Sequence, residues 1–176
     1  MDTSNGYPSA PSEWVVRWSP HIAEGGRVLD VACGFGRHTL WLAGLGYRVE
    51  AVDRDVERVG RFACLDNVTV VRADLERDPW PFQGEYFDGI VVTNYLHRPL
   101  FPLMLEALAP AGVLIYETFA RGNERFGRPA NPAFLLEPGE LLAVAEGRLR
   151  VLGYEDTVVA TPRPARVQRI CAVRGV

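Results

Sequence analysis

The sequence predicts an α/β fold, a mostly parallel sheet of seven strands with helices on both faces. Three observations carry that expectation. Short β-branched runs alternate with amphipathic stretches along the chain, the order that builds parallel sheets. Val28 to Asp53, VLDVACGFGRHTLWLAGLGYRVEAVD, joins an apolar strand, a small glycine-bearing turn, a helix and a second strand ending in a carboxylate. The length of 176 residues suits about one domain with a full core. We therefore expect a single domain over 1–176, with a tail and helix in 1–25 and the core in 26–176.

The elements follow in order. Trp14, Val15, Trp18 and Ile22 recur at helical spacing, so Ser12 to Ile22 is expected as an amphipathic helix with both tryptophans in the core. Arg37 to Leu45 is the first crossover helix, stopped by Gly46, and Asp55 to Leu65 the second. Val68 to Val71 and Tyr86 to Val92 read as the third and fourth strands, Phe101 to Leu108 as a helix, and Gly112 to Thr118 as the fifth strand. Phe119 to Leu136, rich in Arg, Gly, Asn and Pro, reads as a loop, and loops of that length are often functional. Glu140 to Ala145 is a helix, and Leu149 to Ala160 and Val167 to Val173 are strands joined across Thr161 to Ala165.

The turn Ala32-Cys33-Gly34-Phe35-Gly36 lets a ligand approach the backbone, because glycine carries no side chain and tolerates positive φ. Asp53 follows Gly34 by 19 residues, the spacing at which a second-strand carboxylate grips ribose hydroxyls. Dinucleotides would want a third glycine, yet the turn continues Gly36-Arg37-His38-Thr39. Asp30, just before the turn, would repel a pyrophosphate and suit a ligand bearing an ammonium group. S-adenosylmethionine carries one.

Several chemistries are excluded by what is absent. All 19 basic residues are arginine, so there is no lysine for a Schiff base or a phosphate loop. Serine occurs only at Ser4, Ser9, Ser12 and Ser19, so no nucleophile elbow exists. The three histidines form no His-Glu-x-x-His pair, and Cys33, Cys64 and Cys171 no Cys-x-x-Cys pair, so a metal-free chain with reduced thiols is expected. Neither a secretion signal nor an apolar run of about 20 residues is visible. A cytoplasmic protein is expected. Internal repeats and low-complexity segments are absent.

LDVACGFG resembles the first motif of the class I S-adenosylmethionine-dependent methyltransferases, and the resemblance extends over nearly the whole chain. It implies a Rossmann-like sheet closed by a C-terminal antiparallel strand pair, with S-adenosyl-L-methionine as cofactor and S-adenosyl-L-homocysteine as product. It also implies a cofactor set of Asp30, Ala32, Cys33, Gly34 and Gly36 at the turn, and Asp53 and Arg54 at the ribose. Ala73, Asp74 and Leu75 would meet the adenine, and Asn94 would close the set at the end of the fourth strand. A looser similarity to the tellurite-resistance type of small methyltransferase adds Arg37, near the methionine carboxylate. That subgroup would imply oxyanion or thiol acceptors.

A methyl on a sulfonium is already activated, so a base is optional. His97, Tyr95 and Glu117 are the candidate catalytic residues, with Tyr116 a further strand-end alternative; the sequence leaves the choice open. Residues 1–117 carry 10 arginines against 16 acidic groups, whereas residues 118–176 carry 9 against 6. Arg121, Arg125, Arg128, Arg163 and Arg166 are therefore candidate substrate-binding residues for an anionic acceptor. After the fourth strand the chain reads Asn94-Tyr95-Leu96-His97, without the Pro-Pro-aromatic sequence of DNA base methyltransferases. Together with the net charge of −3 this argues against nucleic acid and for a small-molecule acceptor, anionic or a soft nucleophile. An NAD(P)-dependent oxidoreductase and a non-catalytic cofactor-binding module are the alternatives, and a homodimer is compatible with the sequence.

Overall fold

The structure is a computed structural model that describes residues 9–57 and 59–175; the expectation of a tail over residues 1–8 falls outside them. Helix α1 (Glu13–Trp18) is capped by Ser12, whose Oγ accepts the Trp14 N–H at 3.1 Å. The helix is shorter than expected. Pro20 has no N–H to donate and its ring opposes the carbonyl four residues back, so the chain tightens into a 3₁₀ turn at Ser19–His21. Strand β1 (Arg27–Val31), helix α2 (Arg37–Gly44) and strand β2 (Arg48–Asp53) then form the expected βαβ unit.

The second crossover departs from expectation, because among the described residues it forms a 3₁₀ turn at Gly60–Cys64 and no α-helix ahead of β3 (Val68–Arg72). Side-chain carboxylates compete for the backbone there: Asp53 Oδ1 accepts the Asp55 N–H and Asp55 Oδ1 the Glu57 N–H, at 2.9 and 3.2 Å. Such local bonds favour turns over helix, and Gly60 weakens the helix further.

Strand β4 (Phe87–Thr93), helix α3 (Leu100–Glu106), strand β5 (Leu108–Phe119) and helix α4 (Glu140–Ala145) follow. Strands β6 (Leu149–Val159) and β7 (Ala165–Arg174) complete the sheet. Between β5 and α4 the loop holds 3₁₀ turns at Asn123–Arg125 and Pro132–Phe134 and is tied down. Arg98 donates to Glu140 and to the carbonyls of Ala133 and Leu135.

The sheet order is β3-β2-β1-β4-β5-β7-β6. β1 to β5 pair in parallel, and β7 runs antiparallel to both neighbours. One face packs Phe101, Met104 and Leu105 of α3 with Leu141 and Ala145 of α4. The other packs Trp14 and Trp18 of α1 with Leu42 and Ala43 of α2, so the tryptophans are core, as expected. β1 lies between β2 and β4, the point where strand order reverses, and in doubly wound sheets ligands bind beyond the strand carboxyl ends there. No described helix is long and apolar enough to cross a membrane.

Candidate active site

A cavity of about 320 Å³ opens at this reversal point. Ala32 directly follows β1; β2 ends on Asp53, with Arg54 next; the turn after β3 supplies Ala73, Asp74, Leu75 and Glu76; β4 runs out into Asn94 and Tyr95. Two of these residues, Ala32 at φ 51° and Asn94 at φ 55°, have left-handed backbone without being glycine. That conformation costs about 1–2 kcal/mol per residue and persists where the surroundings fix it. The fixing bonds are visible: Cys33 N–H donates to Val52 O at 3.0 Å and Asn94 N–H to Glu117 O at 2.9 Å.

The turn is held from below and from the side. Asp53 Oδ2 accepts the Gly34 N–H at 2.9 Å. Gly36, at φ 73°, packs so closely that a Cβ there would lie 2.8 Å from Val59 Cγ2 and 3.1 Å from the Phe62 ring. Asp30 is 2 % exposed, and its Oδ2 accepts the Thr39 hydroxyl at 2.6 Å. Burial raises its pKa to about 6, against the opposing effect of the Thr39 hydrogen bonds. It underpins the start of α2. Burial likewise pushes the Cys33 thiol up, so Cys33 contributes backbone and small size to the turn.

Asp74 lines the cavity while Oδ1 accepts the Glu76 N–H at 3.1 Å. The Tyr95 phenol is pushed up to about 12, first by burial and then by the anions of Glu76, Asp74 and Asp53. Its hydroxyl therefore belongs to the acidic end of the cavity.

A second polar cluster lies one strand over, on the α1 and α2 side. Glu117 is opposite Thr93 in the β4–β5 register. Its Oε1 accepts the Ser12 hydroxyl at 2.7 Å and its Oε2 pairs with Arg169 at 3.2 Å. Arg169 also bridges to Glu155 and lies 4.8 Å from the Trp14 ring centroid. His38, 2 % exposed, accepts the Ser12 N–H on Nε2 at 3.0 Å. That bond leaves the proton of the neutral ring on Nδ1, which faces Thr93 Oγ1 at 3.3 Å. Burial, and then the Arg37 cation, lowers the His38 pKa to about 3. Burial also lowers that of Arg37, which feels the opposing pull of Glu117 and Asp30.

Of the cofactor residues expected from sequence, Ala32, Asp53, Arg54, Ala73, Asp74, Leu75 and Asn94 meet in one cavity. Asp30, Cys33, Gly34, Gly36 and Arg37 shape the turn beside it. Of the catalytic candidates, Tyr95 lines the cavity, Glu117 belongs to the second cluster, and His97 is half-buried with its carbonyl accepting the Leu100 N–H. The five arginines divide: Arg121 pairs with Glu137 at 2.7 Å and Arg166 with Asp156 at 2.5 Å, whereas Arg125, Arg128 and Arg163 are exposed. Sequence reasoning missed Glu76, Ser12, His38 and Arg169. Glu76 is two residues from Asp74 and could have been found; the other three are joined only by long-range contacts.

The methyltransferase domain family model matches residues 28–112. A putative methyltransferase YqeM of Bacillus subtilis (strain 168) is 27 % identical over 122 residues, which cover 61 % of this chain and 49 % of that protein. Phthiotriol/phenolphthiotriol dimycocerosates methyltransferase 1 of Mycobacterium ulcerans (strain Agy99) is 30 % identical over 119 residues, covering 61 % of this chain and 43 % of that protein. The chain thus matches less than half the length of these relatives. Among solved structures, TehB from Haemophilus influenzae superposes with a TM-score of 0.79 at 20 % identity, over 96 % of this chain and 64 % of that one. N-methyltransferase NodS from Bradyrhizobium japonicum WM9 gives 0.69 at 16 % identity, over 92 % and 94 %. The 1,6-didemethyltoxoflavin-N1-methyltransferase of Burkholderia thailandensis, with bound 1,6-didemethyltoxoflavin and S-adenosylhomocysteine, gives 0.68 at 20 % identity, over 93 % and 77 %. At these identities the likeness is one of fold.

Proposed function

We propose, from the premise that this chain belongs to the class I S-adenosylmethionine-dependent methyltransferase family, that it transfers the cofactor's methyl group to a small-molecule acceptor. The observation that carries this reading is the charge and shape of the cavity. Three carboxylates, Asp53, Asp74 and Glu76, line it against one cation, Arg54. Such a lining repels a pyrophosphate and accepts an adenosine joined to a cationic sulfur.

The residues present fit the cofactor. Asp53 would take the ribose hydroxyls, Asp74 and the backbone at Leu75 the adenine edge, Tyr95 an adenosine face, and Arg37 the methionine carboxylate. When bound, S-adenosylmethionine supplies a methyl group already activated on a sulfonium. The protein's task is then to orient the acceptor, exclude water and take up any proton the nucleophile carries.

For that proton the reading favours Glu117. Its two oxygens are fixed by Ser12 and Arg169, and its strand position adjoins Asn94 at the cavity wall. The Tyr95 phenol, by contrast, holds its proton far above neutral pH. A small acceptor is in keeping with the Burkholderia thailandensis structure, which holds one.

Parallel calorimetric titrations with S-adenosylmethionine, S-adenosylhomocysteine and NADH test the proposal. Micromolar binding of the first two without NADH is expected. NADH binding alone would overturn the reading in favour of an oxidoreductase, and tight cofactor binding with no methyl transfer to any acceptor would favour a binding module.

A further inference from the structure

The loop after β5 and the β6–β7 hairpin meet at the same rim as the cavity, because β5 and β6 run toward it and β7 runs back from it. Asn123, 1 % exposed, locks the two together. Its Oδ1 accepts the Arg166 N–H at 3.1 Å and its Nδ2 donates to Pro129 O at 2.9 Å. A backbone bond from Ala120 N–H to Arg166 O at 3.0 Å reinforces the join.

This lock gathers arginines. Arg125 is two residues past Asn123, Arg128 is bonded to Pro129, and Arg163 is three residues before Arg166. At no more than about 3.8 Å per residue, their Cα atoms all fall within about 15 Å of the Asn123 amide. Arg121 and Arg166 are already engaged by Glu137 and Asp156. Arg125, Arg128 and Arg163 are exposed and form no ion pair among the described residues. Glu124, the one acid in the sequence from 120 to 129, is turned onto the Gly122 N–H at 2.9 Å. Glu124 also feels the Arg125 and Arg121 cations, so the rim presents three exposed guanidinium forks against that one carboxylate of the loop.

The lock begins at Ala120, three residues beyond Glu117, on the order of 10 Å further along the strand direction at about 3.3 Å per residue. We propose that Arg125, Arg128 and Arg163 form an anion clamp for the acceptor, an organic anion bearing a carboxylate or phosphate. The proposal rests on the methyltransferase reading and adds the acceptor's class and its point of capture.

The full chain, saturated with S-adenosylhomocysteine, is titrated with inorganic pyrophosphate, with citrate and with a single-stranded 12-mer oligonucleotide. Binding is followed by calorimetry and by NMR shifts of the Asn123 side-chain amide. Pyrophosphate or citrate is expected to shift that amide, and the stronger of the two identifies phosphate or carboxylate as the natural group. Arg125→Gln/Arg128→Gln/Arg163→Gln should weaken anion binding at least tenfold while leaving S-adenosylhomocysteine affinity within twofold. Arg163→Gln alone, at an exposed hairpin tip, should weaken it about threefold and serves if the triple variant does not fold. Unchanged anion affinity in these variants, or clear preference for the oligonucleotide, would overturn the clamp. Failure of the wild-type chain to bind S-adenosylhomocysteine would instead overturn the methyltransferase reading, whatever the anions do.

Discussion

Asp53 Oδ2 and the backbone N–H of Gly34 are 2.9 Å apart and hydrogen-bonded, which ties the end of β2 to the glycine turn after β1. One carboxylate thus shapes the turn and faces the cavity. Its remaining lone pairs point the same chemistry, acceptance from a donor, toward a ligand hydroxyl.

Separating the two tasks gives the first prediction. Asp53→Asn keeps an acceptor for Gly34 but loses the charge and sets its NH2 against the Asp55 N–H that Oδ1 now accepts, so S-adenosylhomocysteine affinity should fall at least about tenfold, the scale of one charge-assisted bond. Asp53→Ala loses both tasks, and affinity should fall roughly 100-fold. Calorimetry decides: equal affinity in all three proteins would remove Asp53 from the cofactor site.

The part of this site that was legible in the sequence is the part built from neighbours along the chain. The Gly34–Gly36 turn, Asp53 and Asp74 are set by strand ends at regular spacing, and each landed at the cavity or its turn. The sequence places Asp30 to face a ligand, whereas in the fold it is buried and bonded to Thr39, an outcome that depends on how α2 docks. Ser12 and Glu117, bonded across 105 residues, left no local signal. Nor did the sequence show which rim arginines are neutralised, since Glu137 and Asp156 reach Arg121 and Arg166 only in the fold. The helix expected at 55–65 failed for a local reason that was available: Asp53 and Asp55 are strong turn formers.

Tyr95 separates a wall from a base. With its phenol pushed up to about 12, it has no phenolate form to offer near neutral pH. Tyr95→Phe should leave S-adenosylhomocysteine affinity within threefold and the pH dependence of turnover flat from pH 7 to 10. Tyr95→Ala removes an aromatic surface from the cavity lining and should weaken affinity about tenfold. Loss of turnover in the Phe variant, at unchanged cofactor affinity, would reinstate Tyr95 as a proton-transfer residue.

Gly36→Ala tests the close packing under the turn. The added methyl meets Val59 and Phe62 at 2.8 and 3.1 Å and sits on backbone at φ 73°. Left-handed strain of about 1–2 kcal/mol and overpacking of about 1–3 kcal/mol act together, so urea unfolding should register a loss of at least about 2 kcal/mol. An unchanged midpoint would mean that the turn and the Val59 segment move apart easily.

Asp30 and His38 make opposing contributions to stability as pH changes. Asp30 titrates at about 6 in the folded state against an ordinary 3.8, so the folded protein binds more protons between those values. Its contribution is fully present below 3.8 and is lost as pH rises through 6. His38 titrates at about 3 against an ordinary 6.5, so the unfolded chain binds more protons in that interval. Its contribution is present above 6.5 and is lost as pH falls toward 3. The two slopes largely cancel between pH 4 and 6 in the wild-type protein. Each variant should expose the other residue's slope. In urea unfolding, the stability of Asp30→Asn relative to wild type should rise from pH 4 to 6. That of His38→Gln, which retains an acceptor for the Ser12 N–H, should fall over the same interval. Each pH unit of fully developed difference corresponds to about 1.4 kcal/mol as an upper bound. Parallel curves for both variants and the wild type would show that neither group changes its protonation on folding, and would remove the buried pair from the acid response of the protein.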